Sequence, residues 1–135
     1  MKDIKPIRIL VADDNPQVRD FLRRALEDNE NWKVCCEARN GQEVMEQIQE
    51  GKPDIGVLDF LMPKMNGLDA ARLVSTAWPR VPVLMVTLYL SKQLSKAAWK
   101  AGIRGACAKT DIKCLIRGVK ALVRGETFFP EWSPV

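Results

Sequence analysis

The stretch Ile7-Arg8-Ile9-Leu10-Val11-Ala12-Asp13-Asp14-Asn15-Pro16-Gln17-Val18 decides the fold. Its first six residues are apolar except Arg8, and they lack the alternation of a strand with one wet face. Such a run reads as a strand covered on both sides. Two carboxylates follow at once, and then a helix start. Asn15 can accept an orphan backbone N–H, and Pro16 is preset for the first helical position. Val18, Phe21, Leu22, Ala25 and Leu26 then repeat at the spacing of one helical face.

Working outward, the same strand-then-helix unit recurs until it has appeared five times. Trp32–Ala38 reads as a second strand. Asn40 and Glu43 look like a capping box opening a helix with Val44 and Ile48 on its face, ended by Gly51 and Pro53. Ile55–Leu58 reads as a third strand, weakened by Gly56. Asn66 starts a helix carrying Leu68, Ala71 and Val74. Val81–Val86 reads as a fourth strand, followed by a helix from Ser91 to Ala101 that stops at Gly102. Gly105–Ala108 is a short fifth strand. Asp111 caps a last helix, with Leu115, Ile116, Val119, Leu122 and Val123 on one face, and Gly125 ends it. Strict alternation of this kind requires right-handed crossovers, a parallel sheet and helices on both faces. The domain is expected over residues 1–127, with 128–135 as a tail or the start of a connection.

The bulk numbers fit one domain. The chain has 135 residues, 47% hydrophobic and 28% charged, enough for a single core and too few for two. No apolar run approaches the ~20 residues that span a bilayer. Met1-Lys2-Asp3-Ile4-Lys5-Pro6 has no apolar stretch of the signal-peptide kind. A cytoplasmic location is expected. Cys35, Cys36, Cys107 and Cys114 form no Cys-x-x-Cys pair and read as small buried hydrophobes. The chain has no histidine, which excludes Ser-His-Asp and Cys-His catalysis and most zinc sites. Any chemistry must run on carboxylates, hydroxyls, lysine and a hard metal ion.

In an open parallel sheet, ligands bind beyond the carboxyl ends of the strands. Asp13 and Asp14 follow the first strand, Asp59 the third, Thr87 the fourth and Lys109 the fifth. Taken singly, each has a plainer reading: acids cap helices, threonine ends strands, and lysine is a solvated charge. Four strand ends carrying complementary groups are harder to assign to chance. Three close carboxylates repel one another unless positive charge sits among them. Lys109 supplies one such charge, and magnesium, which takes oxygen ligands and keeps several waters, is the natural second.

These residues resemble the receiver domain of two-component response regulators over about residues 6–126. The matching motifs are Ile9-Leu10-Val11-Ala12-Asp13-Asp14-Asn15, Leu58-Asp59-Phe60-Leu61-Met62-Pro63-Lys64-Met65-Asn66-Gly67, Val86-Thr87 and Gly102-Ile103-Arg104-Gly105-Ala106-Cys107-Ala108-Lys109. The resemblance implies a doubly wound, flavodoxin-like five-stranded α/β sheet in the order 2-1-3-4-5. It implies that Asp59 accepts a phosphoryl group from a phosphohistidine on a sensor histidine kinase. It implies that Asp14 and Asp59 ligate Mg2+ directly, with Asp13 acting directly or through water, and that the Leu61 carbonyl is a further ligand. Lys109 and Thr87 would each hold a phosphoryl oxygen. The domain would be no enzyme beyond catalysing its own phosphorylation and dephosphorylation. Leu61 and Tyr89 stand where the family tunes hydrolysis of the aspartyl phosphate.

The segment Leu115–Phe129 is similar to the subfamily whose receivers precede a LuxR-type helix-turn-helix domain. Either the chain is part of a longer regulator, with DNA binding and transcriptional control in an output domain outside it, or it is a free-standing receiver. One departure stands out. The family usually carries Tyr or Phe three residues before the lysine, and here that position is Ala106. Either switching uses another group, for which Tyr89 is the candidate, or the output is only weakly coupled to phosphorylation.

The net charge of +4 is uneven. Residues 92–125 hold nine Lys/Arg against one Asp, while residues 1–91 hold twelve Lys/Arg against fourteen Asp/Glu. Lys92, Lys96 and Lys100 form a stripe on the fourth helix, and Lys113, Arg117, Lys120 and Arg124 lie on the fifth. A solvated basic face or a homodimer contact explains them more simply than direct nucleic-acid binding, which would show steep salt dependence. Two other classes remain in view. One is a receiver-like interaction module that works without phosphorylation, raised by Ala106. The other is a small magnesium-dependent phosphatase, against which Leu61 counts: related folds place a second aspartate there.

Overall fold

The computed structural model describes residues 5–134. Residues 1–4 and Val135, the outer ends of the two spans expected above, lie outside the described residues. The elements are β1 (Ile7–Ala12), α1 (Pro16–Glu27), β2 (Trp32–Ala38), α2 (Gly41–Gly51), β3 (Ile55–Asp59), α3 (Gly67–Ala77), β4 (Val83–Thr87), α4 (Lys92–Lys100), β5 (Gly105–Ala108) and α5 (Ile112–Val123). The five strands form one parallel sheet in the order β2-β1-β3-β4-β5. The doubly wound flavodoxin-like order is therefore as expected.

Side chains alternate across the pleat, so each strand feeds two cores. Leu10, Ala12, Leu58, Met85 and Ala106 face Val44, Ile48, Ala71, Val74 and Ala98 of α2, α3 and α4. Ile9, Val11, Val57, Leu84, Val86 and Cys107 face Leu22 and Leu26 of α1 and Leu115, Val119 and Leu122 of α5. All five residues of β3 and of β4 are buried. Full burial of one such side chain contributes about 1.5–3 kcal/mol, so these two cores are the main source of stability.

Local details depart from the sequence reading in four places. Gly56 does not interrupt β3, which runs through it from Ile55 to Asp59. It sits in the central strand where a Cβ would lie 2.9 Å from Leu58 Cδ1, and its amide donates to Pro82 O at 3.0 Å. β4 spans 83–87 rather than 81–86, because Val81 closes a turn onto Trp78 O and Pro82 has no N–H to give a ladder. Asn40 caps α2 by accepting from Glu43 N, but the Glu43 carboxylate bonds the Arg39 amide and guanidinium, not the Asn40 amide of a capping box. The left-handed residue ending α2 is Lys52 (φ 48°), not Gly51.

The chain beyond α5 turns back onto the sheet edge. Phe128 bridges Gly105 in parallel: Ala106 N donates to Phe128 O and Phe128 N to Arg104 O, both at 2.9 Å. A Cβ on Gly105 would stand 2.8 Å from Phe128 O, so this approach needs glycine there. Phe129 packs edge-on against Trp99 of α4 (6.1 Å between ring centroids) and against Trp132 (5.5 Å). The Arg104 guanidinium lies 5.2 Å from the centre of the Trp99 ring. These contacts cover the exposed edge of β5, a usual liability of open sheets. Phe129→Ala should therefore lower unfolding stability by about 2 kcal/mol, measured by urea denaturation followed through tryptophan fluorescence. An unchanged midpoint would mean that the segment does not hold the β5 edge.

Candidate phosphoryl-acceptor and metal site

The tips of β1, β3, β4 and β5 meet at one end of the sheet. Asp13 leaves β1 fully buried, and its backbone is fixed from both sides. Its amide donates to Ala38 O (3.0 Å), its carbonyl accepts from Arg19 Nη1 (2.8 Å), and its Oδ1 accepts from Asn15 N (2.9 Å). Asn15 in turn caps α1 by accepting from Gln17 N and Val18 N. The same turn that begins the helix thus aims the first carboxylate. Asp14 beside it is exposed.

Asp59 ends β3 and is 3% exposed. The chain after it is tied back tightly. Phe60 N donates to Val86 O and Gly67 N to Phe60 O, each at 2.9 Å. Leu61 N donates to Asp59 Oδ1 at 3.2 Å. A Cβ on Gly67 would stand 2.4 Å from Asp59 O, closer than any real contact, so only glycine lets α3 begin against this carbonyl. Lys64 takes a left-handed conformation (φ 68°) in the same loop. The Leu61 side chain is 66% exposed.

Lys109 follows β5, and its amide is fixed on Thr87 O at 2.8 Å. Its ammonium reaches between the two buried acids, 2.8 Å from Asp13 Oδ2 and 2.9 Å from Asp59 Oδ2. Thr87 is buried at the end of β4, one residue past Val86, which pairs with Asp59 in the ladder. One oxygen from each of Asp13, Asp14 and Asp59 falls within 4.8 Å of the others. The structure therefore brings Asp13, Asp14, Asp59 and Lys109 together, while Thr87 ends the neighbouring strand β4 and Leu61 lies two residues past Asp59.

The electrostatics follow from this crowding. Burial raises the Asp59 pKa, the Lys109 hydrogen bond pulls it down, and the Asp13 charge raises it again; the net shift is upward. Burial also works against the Lys109 charge, but hydrogen bonds and Coulombic attraction from Asp13 and Asp59 outweigh it and hold its pKa above the ordinary value. Three carboxylates against one ammonium leave an excess of negative charge in a poorly hydrated place. Asp13 Oδ2, although close to the ammonium, is buried without an aligned hydrogen-bond donor. That oxygen has only the Lys109 ammonium beside it, and together with two more carboxylates it suits a hard divalent cation. The donor set could hold a metal.

The sequence reading missed the parts that hold these groups. Arg19 clamps the Asp13 carbonyl from α1, and nothing in its spacing announces that contact. Gly67 had a signal: a glycine immediately after a helix cap is a poor helix former, so its presence points to a close approach. Tyr89 is 86% exposed and Ala106 is fully buried opposite Met85. The basic residues of α4 and α5 named above are exposed. A hollow of about 790 Å3 lies at the other end of the strands, lined by Ile7, Arg8, Asp54, Pro82, Arg104 and Leu122. It is not lined by Asp13, Asp14 or Asp59.

Comparison with known proteins agrees with this geometry. Residues 9–119 match the family model of the response regulator receiver domain. The chain is 40% identical over 102 residues to a protein-glutamate methylesterase/protein-glutamine glutaminase of Pyrococcus abyssi, covering 76% of this chain and 27% of that protein. It is 37% identical over 103 residues to the transcriptional regulatory protein LnrK of Bacillus subtilis, covering 76% of this chain and 47% of that protein. The chain thus spans about a quarter to a half of the length of these relatives. Among solved structures, a LuxR-family two-component response regulator from Aurantimonas sp. superposes with a TM-score of 0.88 at 28% identity, covering 96% of this chain and 91% of that one. The signal receiver domain of the response regulator NarL from Mycobacterium tuberculosis superposes at 0.85 with 27% identity, covering 91% of this chain and all of that one. With its five-stranded order, its acid cluster and its family match, this chain belongs to the response regulator receiver domains.

Proposed function

We propose that the domain accepts a phosphoryl group on Asp59 from a phosphohistidine of a sensor histidine kinase and passes the resulting change to an output partner. The observation that carries this reading is the Lys109 ammonium held 2.9 Å from Asp59 Oδ2, at the mouth of a buried acid pair. A carboxylate must be ionised to attack phosphorus. Burial opposes ionisation, and Lys109 supports it. In the transfer, an Asp59 oxygen forms the new P–O bond as the P–N bond to the kinase histidine breaks. Lys109 then follows one phosphoryl oxygen, and the Thr87 hydroxyl hydrogen-bonds another. Such positioning and charge neutralisation are the main catalytic terms in phosphoryl transfer.

Magnesium is the cofactor the donor set suits. Asp13, Asp14 and Asp59 would hold it, with the Leu61 carbonyl as a further ligand. When bound, it supplies positive charge to the transferring phosphoryl group. The chain turns over nothing but its own aspartyl phosphate, whose lifetime depends on access of water past Leu61. The domain acts in the cytoplasm; among the described residues no helix is long and apolar enough to cross a membrane. Exposed faces of α4 and α5 offer the surface for a homodimer or an output contact. DNA binding and transcriptional control would fall to a LuxR-type output domain.

A second reading has its own observation. Ala106 is fully buried and Tyr89 points into solvent, so the aromatic side chain that usually reports phosphorylation is missing from its place. That favours a module that contacts its partner without a phosphorylation switch. Incubation with acetyl phosphate and magnesium decides between the two. Intact mass should show one phosphoryl group added to the parent and none to Asp59→Asn. A parent that gains no phosphoryl group would leave the interaction module as the better account.

The counter-charge assignment has its own test. In Lys109→Met the Asp59 carboxyl loses the largest influence holding its pKa down. Its NMR titration midpoint should therefore move further up, and an unmoved midpoint would show that the ammonium is not its counter-charge. The sign for stability follows. Lys109 has a raised folded pKa, so its contribution is complete below its ordinary 10.5 and is lost only as pH rises through the higher folded value.

A further inference from the structure

The two adjacent cysteines of β2 are placed unlike ordinary strand neighbours. Consecutive residues of a regular strand point to opposite faces. Here the β1–β2 register slips: Ile9 pairs with Val34, but Leu10 pairs with Cys36. Cys35 is the extra residue of a β-bulge, and a bulge re-aims side chains. Both sulfurs now lie on the α2 side of the sheet, 3.0 Å apart. Both stand over Gly51. A Cβ there would come within 2.7 Å of Cys36 Sγ and 3.8 Å of Cys35 Sγ, so the missing side chain makes the space. Arg8 approaches the same spot, donating to Gly51 O through Nε (3.2 Å) and Nη2 (2.7 Å). Cys36 is buried and Cys35 half-buried, on an edge strand that small solutes can reach.

We propose that Cys35 and Cys36 form a reversible dithiol–disulfide site, oxidised by hydroperoxides and separate from the phosphoryl-acceptor crevice. The Cys35 sulfur attacks one peroxide oxygen, the O–O bond breaks, and the second oxygen leaves as hydroxide that takes a proton to become water. Cys35 is then a sulfenic acid. The Cys36 sulfur displaces the sulfenic oxygen, forming the S–S bond, and the Cys36 proton leaves with that oxygen as a second water. Two electrons pass from the sulfurs to hydrogen peroxide, and two thiols become one disulfide.

Three observations support the order of events. The hydrogen bond from Cys36 lowers the Cys35 pKa, burial opposes it and Arg8 assists, leaving Cys35 at about 7. The Cys36 thiol is pushed far up by its bond to Cys35 and by burial. Cys35 is therefore the thiolate and Cys36 the resolving group. Cys107 and Cys114 supply the internal contrast: burial raises both, and neither is predisposed to react. The ring closed by adjacent residues is strained, since their Cα atoms are only about 3.8 Å apart, below the usual disulfide range. A strained disulfide is readily reduced, which suits a switch better than a structural staple.

The full chain is reduced, exposed to hydrogen peroxide at neutral pH, then alkylated and mapped as peptides. The expected product lacks two hydrogens, has both thiols at 35 and 36 blocked to alkylation, and regains them with dithiothreitol. In Cys36→Ser, oxidation should stop at a sulfenic acid on Cys35 that dimedone traps. In Cys35→Ser, the rate should fall by about tenfold or more, because the remaining thiol is protonated. Circular dichroism checks that both serine variants fold; if either does not, the peptide map of the parent decides alone. Sulfinic or sulfonic acid at Cys35 without ring closure, a disulfide to Cys107 or Cys114, or no reaction at Cys35 would each overturn the proposal.

Discussion

One lysine holds this domain's working end together. The Lys109 ammonium touches Asp13 and Asp59, so a residue after β5 ties together the tips of β1 and β3. Neither acid has a second cationic partner within salt-bridge range among the described residues. Without this ammonium, two buried carboxylates would face each other across the sheet end and one would take up a proton. The placement of Lys109 is itself set by the backbone: its amide is bonded to Thr87 O before its side chain reaches the acids. Parallel pairing of β4 with β5 thus controls the electrostatics two strands away.

The acids are aimed by the same economy of parts. Asn15 caps α1 and donates its amide to Asp13, so helix initiation and carboxylate orientation share one turn. Gly67 lets α3 start against the Asp59 carbonyl, and Phe60 is bonded to β4 on one side and to Gly67 on the other. The β3–α3 loop is therefore a short strap tied at both ends. Substituting its glycine would displace Asp59 itself, because the atom in the way is Asp59 O.

The far edge of the sheet is finished by the chain beyond α5. Phe128 adds a short parallel bridge to β5, and Phe129 sits between Trp99 and Trp132. This segment lies against α4, whose solvent face carries Lys92, Lys96 and Lys100. Whatever docks on the α4–β5 surface meets a basic helix bordered by an aromatic cluster. The buried Ala106 lies just inside that surface and contributes no side chain able to move outward.

Much of this was legible in the residues alone. Periodicity and cap residues determine the ten elements, because strand and helix periods and helix starts depend on neighbours a few positions apart. The rule that ligands bind beyond the strand ends then gathers Asp13, Asp14, Asp59, Thr87 and Lys109 without knowing a single contact. The tertiary structure decided the rest. The slip between β1 and β2 turns Cys35 and Cys36 to one side, and no local pattern marks it, since register depends on how two strands pack together. Arg19 on the Asp13 carbonyl, Phe128 on β5 and the space over Gly51 are likewise contacts between separate elements. They arise only when separate elements meet, which is why residue spacing carried no trace of them.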